Sequence, residues 1–156
     1  MRIKLIATDC DGVLTDGGLY YLEDGQCMKR FNVLDGMGFV LLRQAGIITA
    51  IITGESNPLI EARARKLQVD YLIMGETNKL EVLKSLCEKL EISTSECVYI
   101  GDDINDIPAL KVSGFAFAPP NAHSSVLNSG VRITKAAGGN GCFREVADFV
   151  LDTMKK

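Results

Sequence analysis

Residues 3–18 read IKLIATDCDGVLTDGG. The run from Ile3 to Thr8 is short and mostly apolar, the pattern of a buried strand. It ends on Asp9 and Asp11, with Cys10 between them and Gly12 behind. Two carboxylates that close repel each other. A buried strand ending on such a pair points to a metal ion, to proton transfer, or to both. Cys10 reads as a small buried spacer.

Outward from this stretch the same grammar recurs. Short apolar runs lie at Ile47–Ile52, Asp70–Met74, Cys97–Ile100, Gly114–Phe117 and Val131–Ile133, with helical patterns between most of them. Asn57-Pro58 opens one helix as N-cap and first helical residue. Leu80, Leu83, Leu86 and Leu90 stripe another, capped by Thr77 or Asn78. A last helix runs from about Cys142 to the end, with Phe143, Val146, Phe149 and Val150 on one face. Strands alternating with helices predict an α/β fold, a doubly wound Rossmann-like parallel sheet covered on both faces. One segment departs from the alternation. GLYYLEDGQCMKRFNV, residues 18–33, reads as a β-hairpin insertion around Asp24-Gly25.

The whole chain sets bounds on function. Its 156 residues predict one domain, 1–156, with a core that needs no staples. A 47% hydrophobic and 24% charged composition is ordinary for a soluble protein. With a net charge of −3 and scattered Lys and Arg, no nucleic-acid surface is expected. Five cysteines without a C-x-x-C pair argue against a disulfide framework and against zinc. They fit a reducing compartment, so the cytoplasm is the expected location. The N-terminal residues, one Arg and one Lys before a short strand, read as neither signal peptide nor membrane span.

In a parallel α/β sheet, ligands bind outside the carboxyl ends of the strands. Asp9 and Asp11 follow the first strand; Thr53, Gly54 and Glu55 follow the second. Lys79 opens the helix after the third strand, and Asp102, Asp103 and Asp106 follow the fourth. Each piece is common alone, but the ordered set is specific. A hard ion such as Mg²⁺ takes few carboxylates, waters and a phosphate oxygen. Asp9, Asp11 and Asp102 are the candidate metal site, with Asp103 and Asp106 in support. Asp9 can attack phosphorus and form an aspartyl-phosphate. Asp11 can protonate the leaving oxygen and later take a proton from the hydrolytic water. Thr53 and Lys79 would hold the phosphoryl oxygens, and Gly12 lets backbone approach the phosphate.

The motifs D-C-D-G-V-L-T, T-G, Lys79 and G-D-D-I-N-D resemble, in order, the four motifs of the haloacid dehalogenase superfamily. The resemblance spans the whole chain and implies Asp9 as nucleophile and Asp11 as acid/base. Superfamily caps are inserted between the first and second or the second and third motifs. Here sheet-building elements already fill both gaps, so no cap domain is expected. The hairpin, FNVLDGMG (31–38) and GGNGCFREV (138–146) resemble the capless phosphatases of 2-keto-3-deoxy sugar acid biosynthesis. That resemblance implies a homotetramer in which a neighbouring subunit roofs the site. Glu55 directly after T-G, with Arg63 and Lys66 downstream, looks more like the branch acting on nine-carbon acids, such as 2-keto-3-deoxynononate 9-phosphate. The branch acting on eight-carbon 3-deoxy-manno-octulosonate 8-phosphate usually has arginine after T-G.

Each of these features also has a plainer reading. D-x-D-G alone is commonly a surface turn, and G-D-D-I-N-D lacks the bidentate Glu of a calcium loop. Glu55, Arg63 and Lys66 could pair on a helix surface, and His123 reads as an exposed polar residue near a helix start. Gly138–Gly141 is either a flexible lead into the last helix or a loop reaching a neighbour's site. Receiver domains also carry an acidic pair, a Thr and a Lys, but their acceptor Asp follows the third strand. An oligomerising module with little catalysis is the remaining alternative, disfavoured by intact acids in every motif. Exposed apolar residues Tyr20, Tyr21 and Leu22 predict pairing of hairpins between subunits, which would carry Asn32 and Asp35 towards a neighbour's substrate site.

Overall fold

A computed structural model describes residues 3–155; Met1, the N-terminal Arg2 considered above and Lys156 lie outside the described residues. Strands β1 (Leu5–Thr8), β4 (Ile48–Thr53), β5 (Tyr71–Met74), β6 (Cys97–Ile100), β7 (Phe115–Ala118) and β8 (Arg132–Ile133) form one parallel sheet in the order β5-β4-β1-β6-β7-β8. Strands β2 (Tyr20–Tyr21) and β3 (Cys27–Met28) pair separately as the expected antiparallel hairpin. The helices are α1 (Val33–Gln44), α2 (Pro58–Leu67), α3 (Lys79–Lys89), α4 (Ile107–Val112), the single turn α5 (Ser124–Leu127) and α6 (Cys142–Met154).

The central strands are apolar on both sides because both faces are covered. Ile6 and Ile51 point into one core with Phe39 and Leu42 of α1, Ile60 of α2 and Phe143, Val146 and Val150 of α6. Leu5, Ala7, Ala50 and Ile52 point into the other, with Leu83 and Leu86 of α3, Leu110 of α4 and Val126 of α5. Phe39 and Phe143 stack at 4.1 Å between α1 and α6, so Phe143→Ala would cost about 3–5 kcal/mol. Local chemistry agrees with this packing. Asn57 caps α2 by accepting from the Leu59 N–H at 2.9 Å, with Pro58 behind it, and Asn78 caps α3.

No cap domain is present among the described residues: the segments between the site motifs build α1, β4, α2 and β5. No described helix is long and apolar enough to cross a membrane. The chain leaves β1 towards β4 on one side and returns to β6 on the other. The carboxyl ends of β1 and β6 thus flank the switch point where open α/β sheets bind ligands.

Candidate active site

β1 pairs in parallel with β6, Thr8 opposite Ile100, and the Asp9 N–H continues the ladder by donating to the Ile100 carbonyl at 2.9 Å. Beyond Asp9 the chain folds tightly: the Cys10 carbonyl accepts from Val13, Leu14 and Thr15. Gly12 has φ +87°, and a Cβ there would lie 1.9 Å from Asp102 Oδ2. Glycine is needed both for the backbone sign and for the carboxylate pressed against it.

The oxygens of Asp9, Asp102 and Asp106 lie within 4.8 Å of one another. Lys79, 1% exposed, stands against them, 2.9 Å from Asp9 Oδ1 and 2.8 Å from Asp106 Oδ1. Asp106 is fully engaged. Its Oδ1 also accepts from the Tyr99 hydroxyl at 2.9 Å, and its Oδ2 accepts from the Asp102 and Asp103 N–H groups. It therefore positions Lys79 and the Asp102 backbone, leaving Asp9 and Asp102 as the acids open to a cation. Asp103 is exposed and caps the following 3-10 turn through Ile104 N–H.

Electrostatics mark the same pair. Burial, with Asp106 nearby, pushes Asp9 up to about 6 against the pull of Lys79. Burial, with Asp9 and Asp106, pushes Asp102 up to about 8. Burial alone would lower Lys79, but Asp9 and Asp106 outweigh it and hold it above its usual range. Asp102 Oδ1 is buried without a hydrogen-bond partner among the described residues. Three carboxylates facing one ammonium, with an orphaned oxygen among them, suit a hard divalent cation bound through oxygen. The residues present fit Mg²⁺.

The Asp11 carboxylate is not among the three gathered in that cluster. The physical reason is a second lysine. Lys29, its side chain 0% exposed, reaches Asp11 Oδ1 at 2.6 Å and also pairs with Glu55. Thr15 Oγ1 donates to the same Asp11 oxygen at 3.2 Å. Thr53 is 2% exposed at the end of β4, its hydroxyl accepting from the Glu55 N–H, with Gly54 exposed beside it.

Three residues expected at the substrate site also bond within this chain's own scaffold. Asp35, 2% exposed, accepts from the Arg144 N–H at 3.0 Å and so caps α6, where a carboxylate meets the positive helix end. Asn32 caps α1 and donates to the Gly139 carbonyl. Arg63 lies over the Phe31 ring and donates to the Asn32 carbonyl at 3.1 Å, tying α2 to the start of α1. Lys66 is exposed on α2 and is not drawn into the site. His123 is exposed as expected, and its N–H donates to the Asp102 carbonyl at 2.8 Å.

The Gly138–Gly141 segment lies on the loop that follows Asp9 in its own chain. A Cβ on Gly138 would sit 1.9 Å from the Gly12 carbonyl, and the Gly139 N–H donates to the Val13 carbonyl. Asn121 clamps the two, donating to Gly12 O at 2.9 Å and accepting from the Gly138 N–H at 2.7 Å. Sequence reasoning missed Asn121 and Lys29. No local signal announces Asn121. Lys29 had one: alternation along C-M-K-R-F places it on the same side as the half-buried Phe31.

Residues 38–114 match the sequence profile of the haloacid dehalogenase-like hydrolases. Over 150 residues the chain is 39% identical to the 3-deoxy-D-manno-octulosonate 8-phosphate phosphatase of Escherichia coli K12, covering 96% of this chain and 80% of that protein. Among solved structures it resembles the phosphatase of the same name from Moraxella catarrhalis, in complex with magnesium, phosphate and KDO. That likeness has a TM-score of 0.93 at 43% identity, over 96% of this chain and 86% of the other. The cobalt-bound deoxy-D-mannose-octulosonate 8-phosphate phosphatase of Haemophilus influenzae gives a TM-score of 0.93 at 35% identity, over 99% and 91%. Likeness of this depth over nearly the whole chain identifies a phosphoric monoester hydrolase: the chain belongs to the haloacid dehalogenase-like hydrolases, in the family of the 3-deoxy-D-manno-octulosonate 8-phosphate phosphatases.

Proposed function

We propose that the protein uses Mg²⁺ to remove the terminal phosphate from a 2-keto-3-deoxy sugar acid, with 3-deoxy-D-manno-octulosonate 8-phosphate as its substrate. The observation that carries this reading is the division of acids at the switch point. Asp9 and Asp102 crowd together short of positive charge, while Asp11 is held outside them.

Asp9 and Asp102 would hold the ion, which when bound supplies positive charge to the acids and to the phosphoryl oxygens. Asp9 attacks phosphorus as the ester oxygen departs with the proton of Asp11, leaving an aspartyl-phosphate. Water then attacks phosphorus, Asp11 takes its proton, and Asp9 leaves as a carboxylate. Lys79, locked by Asp106, neutralises charge on the phosphoryl oxygens, and the Thr53 hydroxyl donates to them.

The nine-carbon reading rests on Glu55, Arg63 and Lys66. Glu55 is already neutralised by Lys29, and Arg63 is committed within its own chain, so the eight-carbon ester has the stronger support. Phosphate release from both esters decides between them. The eight-carbon substrate should lead in kcat/KM by roughly 10-fold or more, the scale on which a site separates homologues. A reversed ratio would assign the nine-carbon acid.

Among the described residues the site has no lid of its own, and Leu19, Tyr20, Tyr21, Leu22 and Met28 leave the hairpin apolar and exposed. Pairing these faces in a homotetramer would cover them and roof the site. Tyr20→Asp with Leu22→Asp should dissociate the assembly in sedimentation and lower kcat/KM; a fully active monomer would refute shared closure. Five free thiols suit the cytoplasm. The oligomerising-module alternative has no support from a site this completely furnished.

A further inference from the structure

Lys29 stands directly after β3, where alternation turns Met28 outward and Lys29 inward. An isolated bridge between Thr15 and Phe31 pins this arm of the hairpin antiparallel to the nucleophile loop. The Lys29 ammonium reaches Asp11 Oδ1 at 2.6 Å and pairs with Glu55 on its other side. Enclosing a lysine side chain costs rotamer freedom and part of its hydration. That cost needs a return.

Fastening the hairpin is the plain account, and other bonds already do it. Arg30 donates to the Gly139 carbonyl at 3.1 Å and to Asn140 Oδ1 at 2.9 Å, and the Tyr20 hydroxyl donates to Asp16 at 2.9 Å. What Lys29 adds is aim. It and Thr15 both donate to Asp11 Oδ1, while Oδ2 accepts no hydrogen bond from the described residues. The carboxyl is thus held by one oxygen with the other left over. It is also held out of the Asp9–Asp102 cluster, where a third metal-facing carboxylate would add repulsion.

We propose that Lys29 is a positioning residue that keeps Asp11 out of the cation cluster and presents its second oxygen to the leaving group. The proposal rests on the acid/base reading of Asp11, and the experiment separates the two. Steady-state kcat/KM is measured with Mg²⁺ on two esters: an alkyl phosphate, whose leaving oxygen needs a proton, and 2,4-dinitrophenyl phosphate, whose leaving group does not. General acid help amounts to roughly 10²–10⁴-fold, so Asp11→Asn should lose about that much on the alkyl ester and little on the aryl ester. Lys29→Met should show the same selectivity at smaller size, about 10-fold or more against under about 3-fold, with Lys29→Arg recovering part of it. In the Asp11→Asn background, Lys29→Met should cost less than about 2-fold further, as expected of two groups acting as one unit.

A flat loss across Asp11→Asn would overturn the acid/base reading and the proposal with it. Selective loss in Asp11→Asn with equal losses on both esters in Lys29→Met would overturn the proposal alone. Should Lys29→Met fold poorly, Lys29→Arg against Lys29→Gln gives the same contrast. Equal selectivity in those two would refute a role for the ammonium.

Discussion

Two lysines in this protein do the same formal thing in different surroundings. Lys79 joins Asp9 to Asp106, and Lys29 joins Asp11 to Glu55. Around Lys79, burial dominates: Asp9 rises to about 6 and Asp102 to about 8, and the group lacks positive charge. Around Lys29 the two acids divide: burial still raises Asp11, while the Glu55 carboxyl stays wet, so hydrogen bonding from the ammonium dominates there and pulls it down to about 2. The inner set is a demand for a cation built on strand ends. The outer set is a self-contained ion pair that aims one acid. The same residue types take different jobs because solvent access sets which electrostatic effect is larger.

The contrast is broken most severely at Asp9. Asp9→Asn should reduce turnover to background while circular dichroism and thermal unfolding stay near wild type; substantial residual phosphatase activity would remove the inner cluster from the chemistry. Next comes Asp106→Ala, which leaves Lys79 with one partner and the Tyr99 hydroxyl with none. Breaking a buried pair of this kind costs about 3–5 kcal/mol, readable by denaturant titration. A loss below about 1 kcal/mol would place Asp106 with surface pairs instead.

A pH series in chelator sharpens the comparison. Asp102 ionises more readily unfolded, at its ordinary 3.8, than folded, at about 8. Between those values the folded state binds the extra proton. The stability this adds is complete below pH 4 and fades as pH approaches about 8. The melting temperature in chelator should therefore fall as pH rises from 5 to 8, and saturating Mg²⁺ should flatten the slope. A melting temperature that rises with pH in chelator would contradict a cation-deficient cluster. The smallest effect is expected at the outer pair. Glu55→Gln removes a partly exposed partner, for less than about 1 kcal/mol of stability at neutral pH. Larger losses would mean that Lys29 and Glu55 are load-sharing parts of the fold.

The legible and illegible parts divide along the same line as the two lysines. Asp9, Thr53, Lys79 and Asp102 each stand at the end of a regular element, and a parallel sheet brings such ends to one rim whatever fills its core. The run IKLIATDCD therefore carried the site's centre, and the hairpin showed itself through Asp24-Gly25. The bonds that Asn32, Asp35 and Arg63 make within the chain were not legible, because polar residues near a site motif look alike whether they face substrate or cap a helix. Asp35 caps α6, more than a hundred positions further along the chain. No window of sequence contains both partners.

Periodicity, caps and the order of acids along the chain were enough to specify the α/β sheet, its hairpin and the acids expected to react. Those features follow from short-range geometry, with period 2 in strands and ligand sites at strand ends. The placing of Asp11 outside the cation cluster, and the seating of Gly138 on the Gly12 carbonyl, required the folded chain. Hydrogen bonds and burial act between atoms that are close in space, and here the partners of the loop after β1 come from a hairpin lysine and from an asparagine and a glycine far along the chain.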